Sequence, residues 1–296
     1  MKKKISIIAS FRNEEENINE FISRINNSFK KSNRIDYELI FVDDSSNDLS
    51  NTLIKKACTK NKKIKLITLK KRYGHNPSVQ TGFDFVSKKN YAAVIDCDLQ
   101  DQPELIAKNF SKIKKEQTLH FVRKKREDSL FQKFYTYIAY LVLYFISEKK
   151  IIKNASYFKI IPPSVVKKIK KNTESNPYWN YLFTKHSTQN KIVYYVRKKR
   201  IHGTSKFSIF TLNPWITFFS GIYFFRKRFI NIILGLLIIN ILILSLAFYN
   251  FYNVILILFL TLFGCFLITS LAISSFIMYY IKKNKRIYCK YKQILG

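Results

Sequence analysis

Ala92–Glu104 reads Ala-Ala-Val-Ile-Asp-Cys-Asp-Leu-Gln-Asp-Gln-Pro-Glu, and the fold is decided there. The apolar run Ala92–Ile95 has the length and composition of a buried strand. It ends in acid: Asp96, Asp98 and Asp101, with Gln100 among them. Pro103 then suits the first turn of a helix, where a missing N–H costs nothing. A buried strand that runs through a polar loop into a helix is half of an α/β unit, and open α/β sheets take their ligands at the carboxyl ends of their strands. Two readings of the acids are open at this point. Hard oxygen ligands at this spacing suit a divalent cation, Mg or Mn, bridging to phosphate. The same residues can equally serve only as caps of the helix.

The pattern repeats outward from this stretch. Ile5–Ala9 is an apolar strand, and Asn13-Glu14-Glu15-Glu16-Asn17 opens a helix with acid where the macrodipole favours it. Ile18, Phe21, Ile22 and Ile25 keep helical spacing. Glu38–Val42 is a second strand ending in Asp43-Asp44-Ser45-Ser46, with Asp48 or Ser50 as the cap of a helix to about Lys60. Ile64–Leu69 is a third strand, Arg72–Pro77 a loop and Ser78–Lys88 a helix. Pro103–Lys115 is the helix after the acidic loop, and Thr118–Arg123 a fifth strand. Ile151–Ile161 and Lys191–Val196 read as further strands, with a short aromatic helix, Pro177–Lys185, between them. This alternation predicts a mainly parallel, doubly wound α/β sheet.

Three familiar sites on such sheets are missing. No glycine precedes Gly74, so the first strand-to-helix turn is not a dinucleotide loop; there is no GxxxxGK[ST] and no nucleophile elbow. Two acidic clusters remain at the carboxyl edge, Asp43/Asp44 and Asp96/Asp98.

The formal net charge is +33, mostly from lysine spread along the chain. Nucleic acid and an anionic lipid surface are both partners for such a surface. Cys58, Cys97, Cys265 and Cys289 have no ligand spacing and read as reduced thiols. The N-terminal Met-Lys-Lys-Lys opens like a signal peptide, but its apolar run stops too soon at Arg12 and is read as a strand.

Beyond Arg126 the character changes. Leu130, Phe131, Phe134, Ile138, Leu141, Val142 and Phe145 form one apolar stripe at helical spacing, either a core helix or one lying in a membrane interface. Arg200-Ile-His-Gly-Thr-Ser-Lys-Phe207 is a compact loop in which Arg200, Ser205 and Lys206 can converge on one anion. Ile209–Phe225 is aromatic-rich and nearly uncharged. Phe229–Tyr249 and Val254–Ile281 then carry no charge, and each exceeds the roughly 20 residues that span a bilayer core. Two spans leave little room for a nucleic-acid binder. Basic flanks at Arg226–Arg228 and Lys282–Arg286 place both ends in the cytoplasm.

Taken in order, Ile5–Ile18, Phe41–Asp48, Arg72–His75 with Thr81-Gly82, Asp96–Asp101, Phe121–Arg126, Arg200–Phe207 and the C-terminal hairpin resemble one family. It is the polyprenyl-phosphate glycosyltransferases of glycosyltransferase family 2, which includes dolichol-phosphate mannose synthases and bactoprenol glucosyltransferases. The resemblance implies a GT-A catalytic domain over 1–207, an interfacial segment over 208–228, two transmembrane helices over 229–249 and 254–281, and a basic cytoplasmic tail over 282–296. It also implies site roles. Asp43 and Asp44 hold the base and ribose, with Glu14 near the base. Asp96 reaches the ribose, Asp98 binds the metal with help from Gln100, and Arg123 lies near the phosphates. The departures are Ser10 and Arg12 in the first loop, Ser45 where the family has glycine, and Tyr157-Phe158-Lys159 in place of Asp-Phe-Arg.

The implied reaction moves a sugar from a nucleotide-sugar to a polyprenyl phosphate with inversion at the anomeric carbon. UDP-glucose is the first choice of donor, ahead of UDP-N-acetylglucosamine and GDP-mannose. Asp98, Arg123, Arg200, Ser205 and Lys206 form the expected catalytic set, with Mg or Mn as cofactor. The expected partners are the donor, the lipid phosphate and the bilayer, without nucleic acid; a homo-oligomer is left open. The expected location is the cytoplasmic (inner) membrane, multi-pass. The alternatives are a family 2 transferase with a polysaccharide acceptor and a non-catalytic membrane scaffold that keeps the fold.

Overall fold

The computed structural model describes residues 3–30, 35–124, 130–147, 151–153, 155–172, 177–198, 221–223, 225–249, 254–283 and 291–296. Its centre is β1 (Lys3–Phe11), which is buried on both faces from Ile5 onward, as an inner strand of a covered sheet must be. On one side β1 pairs in parallel with β2 (Ile35–Asp43), which pairs in parallel with β3 (Ile64–Leu69). On the other it pairs in parallel with β4 (Tyr91–Val94). Beyond β4 lie β6 (Ala155–Ile161), β5 (Gln117–Arg123) and β7 (Gln189–Tyr195). The β4–β6 and β5–β6 pairs are antiparallel and β5–β7 is parallel, so the sheet is mostly parallel, as expected, with antiparallel pairs mixed in.

The period-two alternation of the strands sorts side chains between two layers. Ile5, Ile7 and Ala9 face α1 (Glu15–Lys30), α2 (Ser50–Lys60) and α4 (Glu104–Phe110), and meet Phe21, Ile25, Ile54 and Phe110. Ile8, Ile40 and Val94 face α3 (His75–Phe85), α6 (Pro163–Lys170) and α7 (Trp179–His186). Each fully buried Phe or Ile contributes about 1.5–3 kcal/mol. Gly82 on α3 is held to its identity by this packing. A Cβ there would lie 2.4 Å from Ile8 Cγ2, so the helix can press onto β1 only without a side chain.

Several boundaries move. Helix α3 begins at His75 rather than Ser78, because Gly74, at φ 95°, turns the chain into the helix and Pro77 fits its first turn. Helix α4 stops at Phe110, short of the expected Lys115. Neither Asp48 nor Ser50 is the N-cap residue of α2. That position is Leu49, while Asp48 accepts the Ser50 N–H at 3.0 Å. Residues Tyr291–Leu295, expected as tail, form β8, an antiparallel edge strand on β3.

Helix α5 (Leu130–Ile146) is two-faced. Leu143 and Ile146 pack with Ile151, Tyr178, Ile222 and Phe225, while Phe134, Tyr137 and Phe145 are 66%, 50% and 62% exposed. The stripe is therefore not a core helix. Next to this cluster starts α8 (Arg226–Tyr249), followed by α9 (Val254–Lys283). Among the described residues one stretch, Arg226–Leu246 with a mean hydropathy of 2.7, is long and apolar enough to cross a bilayer; α9 adds the shorter Ile257–Ala272. Of the two expected spans, the first thus meets this test among the described residues, and the second falls short of its length. The two helices pack, with the buried Asn240 donating from Nδ2 to the Leu260 carbonyl at 3.1 Å.

Candidate active site

The carboxyl ends of β2 and β4 flank the end of β1, so both acidic clusters open onto one crevice edge. At the end of β2, Asp43 is fully buried. Its Oδ1 accepts the Ser46 N–H at 2.8 Å and its Oδ2 accepts from Asn51 Nδ2 at 2.7 Å. Asp44 accepts the Tyr73 and Gly74 N–H groups at 2.7 and 2.9 Å, which ties this loop to the turn before α3. Burial still raises the Asp44 carboxyl against those two donors. Ser45, between them and Ser46, has φ 62°: it takes the left-handed conformation glycine would take freely. Glu14 stands at the start of α1, its Oε2 accepting from Asn17 Nδ2 at 2.8 Å and its N–H donating to Ser50 Oγ at 2.8 Å.

At the end of β4, Asp98 and Asp101 are buried and Asp96 is half-buried. Leu99 between them also has a left-handed φ of 58°. Burial, with the Asp96 charge next to it, raises the Asp98 carboxyl to about 7. Burial raises Asp101 as well. Among the described residues, the cation that faces all three is Arg197, just beyond β7. Its Nε lies 3.1 Å from Asp101 Oδ1, and its Nη2 lies 3.5 Å from Asp98 Oδ2 and 3.9 Å from Asp96 Oδ2. Burial works against the guanidinium charge, but Asp101, Asp98 and Asp96 together outweigh it and its pKa is raised. Tyr195 adds a hydroxyl hydrogen bond to Asp101.

Two further side chains reach this edge. His75 Nε2 lies 4.0 Å from Asp96 Oδ1, has no hydrogen-bond partner and sits with its ring against Tyr157. Arg123, the last residue of β5, has a buried Nε without a hydrogen-bond partner. Of the expected set, the structure thus brings Asp43, Asp44, Asp96, Asp98, Gln100, Glu14 and Arg123 to one end of the sheet. Arg200, Ser205 and Lys206 lie outside the described residues.

Arg197, Tyr195 and His75 were not among the expected site residues. Arg197 belongs to the run Arg197-Lys198-Lys199-Arg200, where no local signal sets it apart from its neighbours. Gln100, expected at a metal, spends its amide Nε2 on the Lys198 carbonyl at 3.3 Å.

The donor set fits a hard divalent cation. Among the described residues no three His, Cys, Asp or Glu side chains converge as a cage. Magnesium-type ions need no cage, since one or two carboxylates plus substrate phosphates suffice. Asp96 and Asp98 each turn Oδ2 towards the Arg197 guanidinium, so a cation already stands where their charges meet.

The comparisons agree with this architecture. The chain is 29% identical over 206 residues to the uncharacterized glycosyltransferase YkcC of Bacillus subtilis, covering 69% of this chain and 63% of the relative. It is 26% identical over 207 residues to the bactoprenol glucosyl transferase of Shigella phage SfV, covering 69% and 67%. It therefore spans about two thirds of the length of these relatives. Among solved structures, glucosyl-3-phosphoglycerate synthase from Mycobacterium tuberculosis, in complex with Mn2+, UDP and glucosyl-3-phosphoglycerate, superposes with a TM-score of 0.52 at 14% identity, over 76% of this chain and 80% of that one. Mannosyl-3-phosphoglycerate synthase from Rubrobacter xylanophilus gives 0.51 at 10% identity, over 76% and 74%. These two share the GT-A fold. Residues 6–169, more than half of the chain, match the glycosyl transferase family 2 domain, and the protein belongs to that family and is a glycosyltransferase.

Proposed function

We propose that this protein is a membrane-bound inverting glycosyltransferase that moves a sugar, glucose from UDP-glucose as first choice, to undecaprenyl phosphate or a similar polyprenyl phosphate. The observation that carries the reading is the placement of the acidic edge beside an apolar platform. His75 stands 4.0 Å from Asp96 and packs its ring on Tyr157, and Tyr157 lies within electrostatic range of Tyr140 on α5, whose outer face is exposed and aromatic. A site for a nucleotide-sugar thus lies next to a surface suited to lipid. The similarity to a bactoprenol glucosyl transferase points the same way.

In this reading Asp43 and Asp44 hold the nucleoside, with Glu14 near the base and Asp96 at the ribose. Asp98 holds the divalent metal, Mg or Mn; Gln100 supports the loop through Lys198. When bound, the metal supplies Lewis-acid neutralisation of the departing diphosphate. The acceptor phosphate is already an anion, so no side chain need remove a proton. Its oxygen attacks the anomeric carbon in line, the bond from that carbon to the diphosphate oxygen breaks, and the nucleoside diphosphate leaves with the electron pair. Arg123, with its orphaned Nε, and Arg200, Ser205 and Lys206 orient the two phosphates. Positioning of this kind turns the encounter into an effectively unimolecular one.

The domain plan is a catalytic domain over 1–207, a juxtamembrane segment over 208–228 and spans over 229–249 and 254–281. Two contacts support a hairpin. The chain leaves the catalytic domain at Phe225, whose ring lies 4.4 Å from that of Tyr181, and returns to the same domain as β8 on β3. A path that leaves and rejoins one domain crosses a bilayer an even number of times, and α8 and α9 are the helices between. Basic flanks then put the domain and the C-terminal residues on the cytoplasmic side of the inner membrane.

The test is incubation of membranes containing the protein with undecaprenyl phosphate and a panel of radiolabelled nucleotide-sugars, followed by solvent extraction. Label in the lipid phase from one donor is expected. Label in water-soluble polymer alone would shift the reading to a polysaccharide acceptor, and no donor turnover at all would favour a scaffold.

A further inference from the structure

Arg197 is held from several sides. Its Nε is fixed on Asp101, which is buried and also takes the Tyr195 hydroxyl. The backbone on either side is stitched to the acidic loop. Gln102 Nε2 donates to the Val196 carbonyl at 3.2 Å, the Lys198 N–H donates to the Gln100 carbonyl at 3.0 Å, and Gln100 Nε2 returns to the Lys198 carbonyl at 3.3 Å. The guanidinium is thereby kept over Asp98 and Asp96 at 3.5 and 3.9 Å. These contacts hold the loop closed with a cation built in.

We infer that Arg197 is a positioning residue: the resident counter-ion of the acidic loop, which makes divalent-cation binding depend on the donor's diphosphate. This rests on the metal and nucleotide-sugar reading above. A bare divalent ion approaching Asp98 meets a positive charge already paired with that carboxylate, and it must share or displace it. Like charges at such range in a partly buried site repel strongly. A diphosphate reverses the balance. It brings negative charge to both cations, and a guanidinium has five N–H donors with which to meet phosphate oxygens. Arg197 therefore weakens binding of the ion alone and strengthens binding of the ion with nucleotide. The acidic loop stays shut against free metal and accepts it as the donor complex. The sequence places this residue three positions before Arg200, so the same segment leads from the donor loop into the expected acceptor loop.

The experiment measures Mn2+ binding from the electron paramagnetic resonance signal of the free ion. It uses the full chain in detergent, with and without UDP, for wild type, Arg197→Gln and Arg197→Lys. Arg197→Gln is expected to bind Mn2+ alone about tenfold more tightly than wild type and to lose a similar factor from the gain that UDP gives. Arg197→Lys keeps the charge on a stem that cannot hold Asp101 and Asp98 together, and is expected between the two. Unchanged or weaker binding of Mn2+ alone by an Arg197→Gln protein that melts cooperatively, while wild type binds Mn2+ with UDP, overturns this inference and leaves the donor reading standing. Should Arg197→Gln not fold, Arg197→Lys decides by the same comparison. Failure of wild type to bind Mn2+ even with UDP overturns the donor reading and this inference together.

Discussion

The two acidic loops at the carboxyl edge solve the same electrostatic problem by different means. At the end of β2, Asp43 and Asp44 are satisfied by neutral donors: Ser46 N–H and the Asn51 amide for one, Tyr73 and Gly74 N–H for the other. At the end of β4, Asp96, Asp98 and Asp101 share one guanidinium. These donors belong to the fold and cannot be exchanged for an ion, so the first loop keeps a fixed geometry in which it would meet a nucleoside. An ion pair can be exchanged for another ion, so the second loop is where charge can be traded. Burial raises carboxyls in both loops: Asp44 against its two backbone donors, and Asp98, to about 7, against the guanidinium it shares.

The comparison is broken most directly by Asp98→Asn. The substitution keeps the shape and removes one of several mutually repelling charges, so the fold should melt within about 1 kcal/mol of wild type. If Asp98 is the metal ligand, transfer should fall by several kcal/mol of transition-state stabilisation, on the order of a thousandfold. Chelator should do the same to wild type. Kinetics beside a melting curve separate the two effects; full transfer by the variant would leave Asp98 only the role of bracing its own loop through the Gln100 N–H.

Asp44→Ala should behave in the opposite way. It leaves the Tyr73 and Gly74 N–H groups without their acceptor and frees the turn that launches α3. Orphaning two half-buried donors should cost about 2 kcal/mol of stability. Denaturant unfolding would show it. A variant as stable as wild type would place this loop with the exchangeable kind.

Sequence carried the sheet further than it carried the site. Runs such as Ile5–Ala9 and Ile64–Leu69 bury their apolar residues, and each forms a strand. The Asp residues after Val42 and Ile95 were legible because charge at the end of such a run is costly unless it is used. Arg197 was not legible, because its partnership depends on β7 lying parallel beside β5 and delivering the chain over the Gln100 loop. That pairing joins segments about 70 residues apart and leaves no periodicity to read. Strand β8 failed for a related reason. Tyr-Lys-Gln-Ile-Leu is too short and too polar to declare itself, and it exists because β3 offers it an edge. Helix α6 has no counterpart among the expected elements; Pro163 opens it, and it is short enough to leave little periodicity.

Lys159 sharpens the comparison from a third position. It is fully buried on β6, and the partners of its Nζ are His120 Nδ1 at 3.1 Å and Asn180 Oδ1 at 3.3 Å, neither of them an anion. Burial lowers its pKa to about 7, and burial with Lys159 beside it lowers His120 to about 3. The sign follows from which state holds more protons. Below about 7 folded and unfolded Lys159 are both charged, and the buried charge opposes folding in full. Between there and the unfolded value of about 10.4 only the unfolded chain keeps the proton, so stability rises with pH. His120 adds a rise between about 3 and its unfolded value of about 6.5. Lys159→Met should therefore stabilise by about 2 kcal/mol near pH 6 and flatten the slope between pH 7 and 9. Chemical denaturation across that range checks it; an unchanged slope would mean that Lys159 stays charged and solvated.

The smallest expected effect returns to the two acidic loops, because each contains one residue in the left-handed region. Ser45 has φ 62° and Leu99 has φ 58°. The conformation costs a non-glycine residue about 1–2 kcal/mol. Glycine removes that strain but adds unfolded-state entropy worth roughly 0.5–1 kcal/mol. At Ser45, half-exposed, little else changes, so Ser45→Gly should stabilise by about 0.5 kcal/mol. Leu99 is 1% exposed and belongs to the core that holds Ile95 and Phe110. Leu99→Gly gives back the same strain but loses about 1.5–3 kcal/mol of side-chain burial. The net should be a loss of about 1 kcal/mol, opposite in sign. Paired denaturant curves on the two variants read this difference directly. Equal and stabilising effects at both positions would mean that the Leu99 side chain does not anchor the β4 loop, and that the polar contacts from Tyr195 to Lys198 hold the acidic cluster in place.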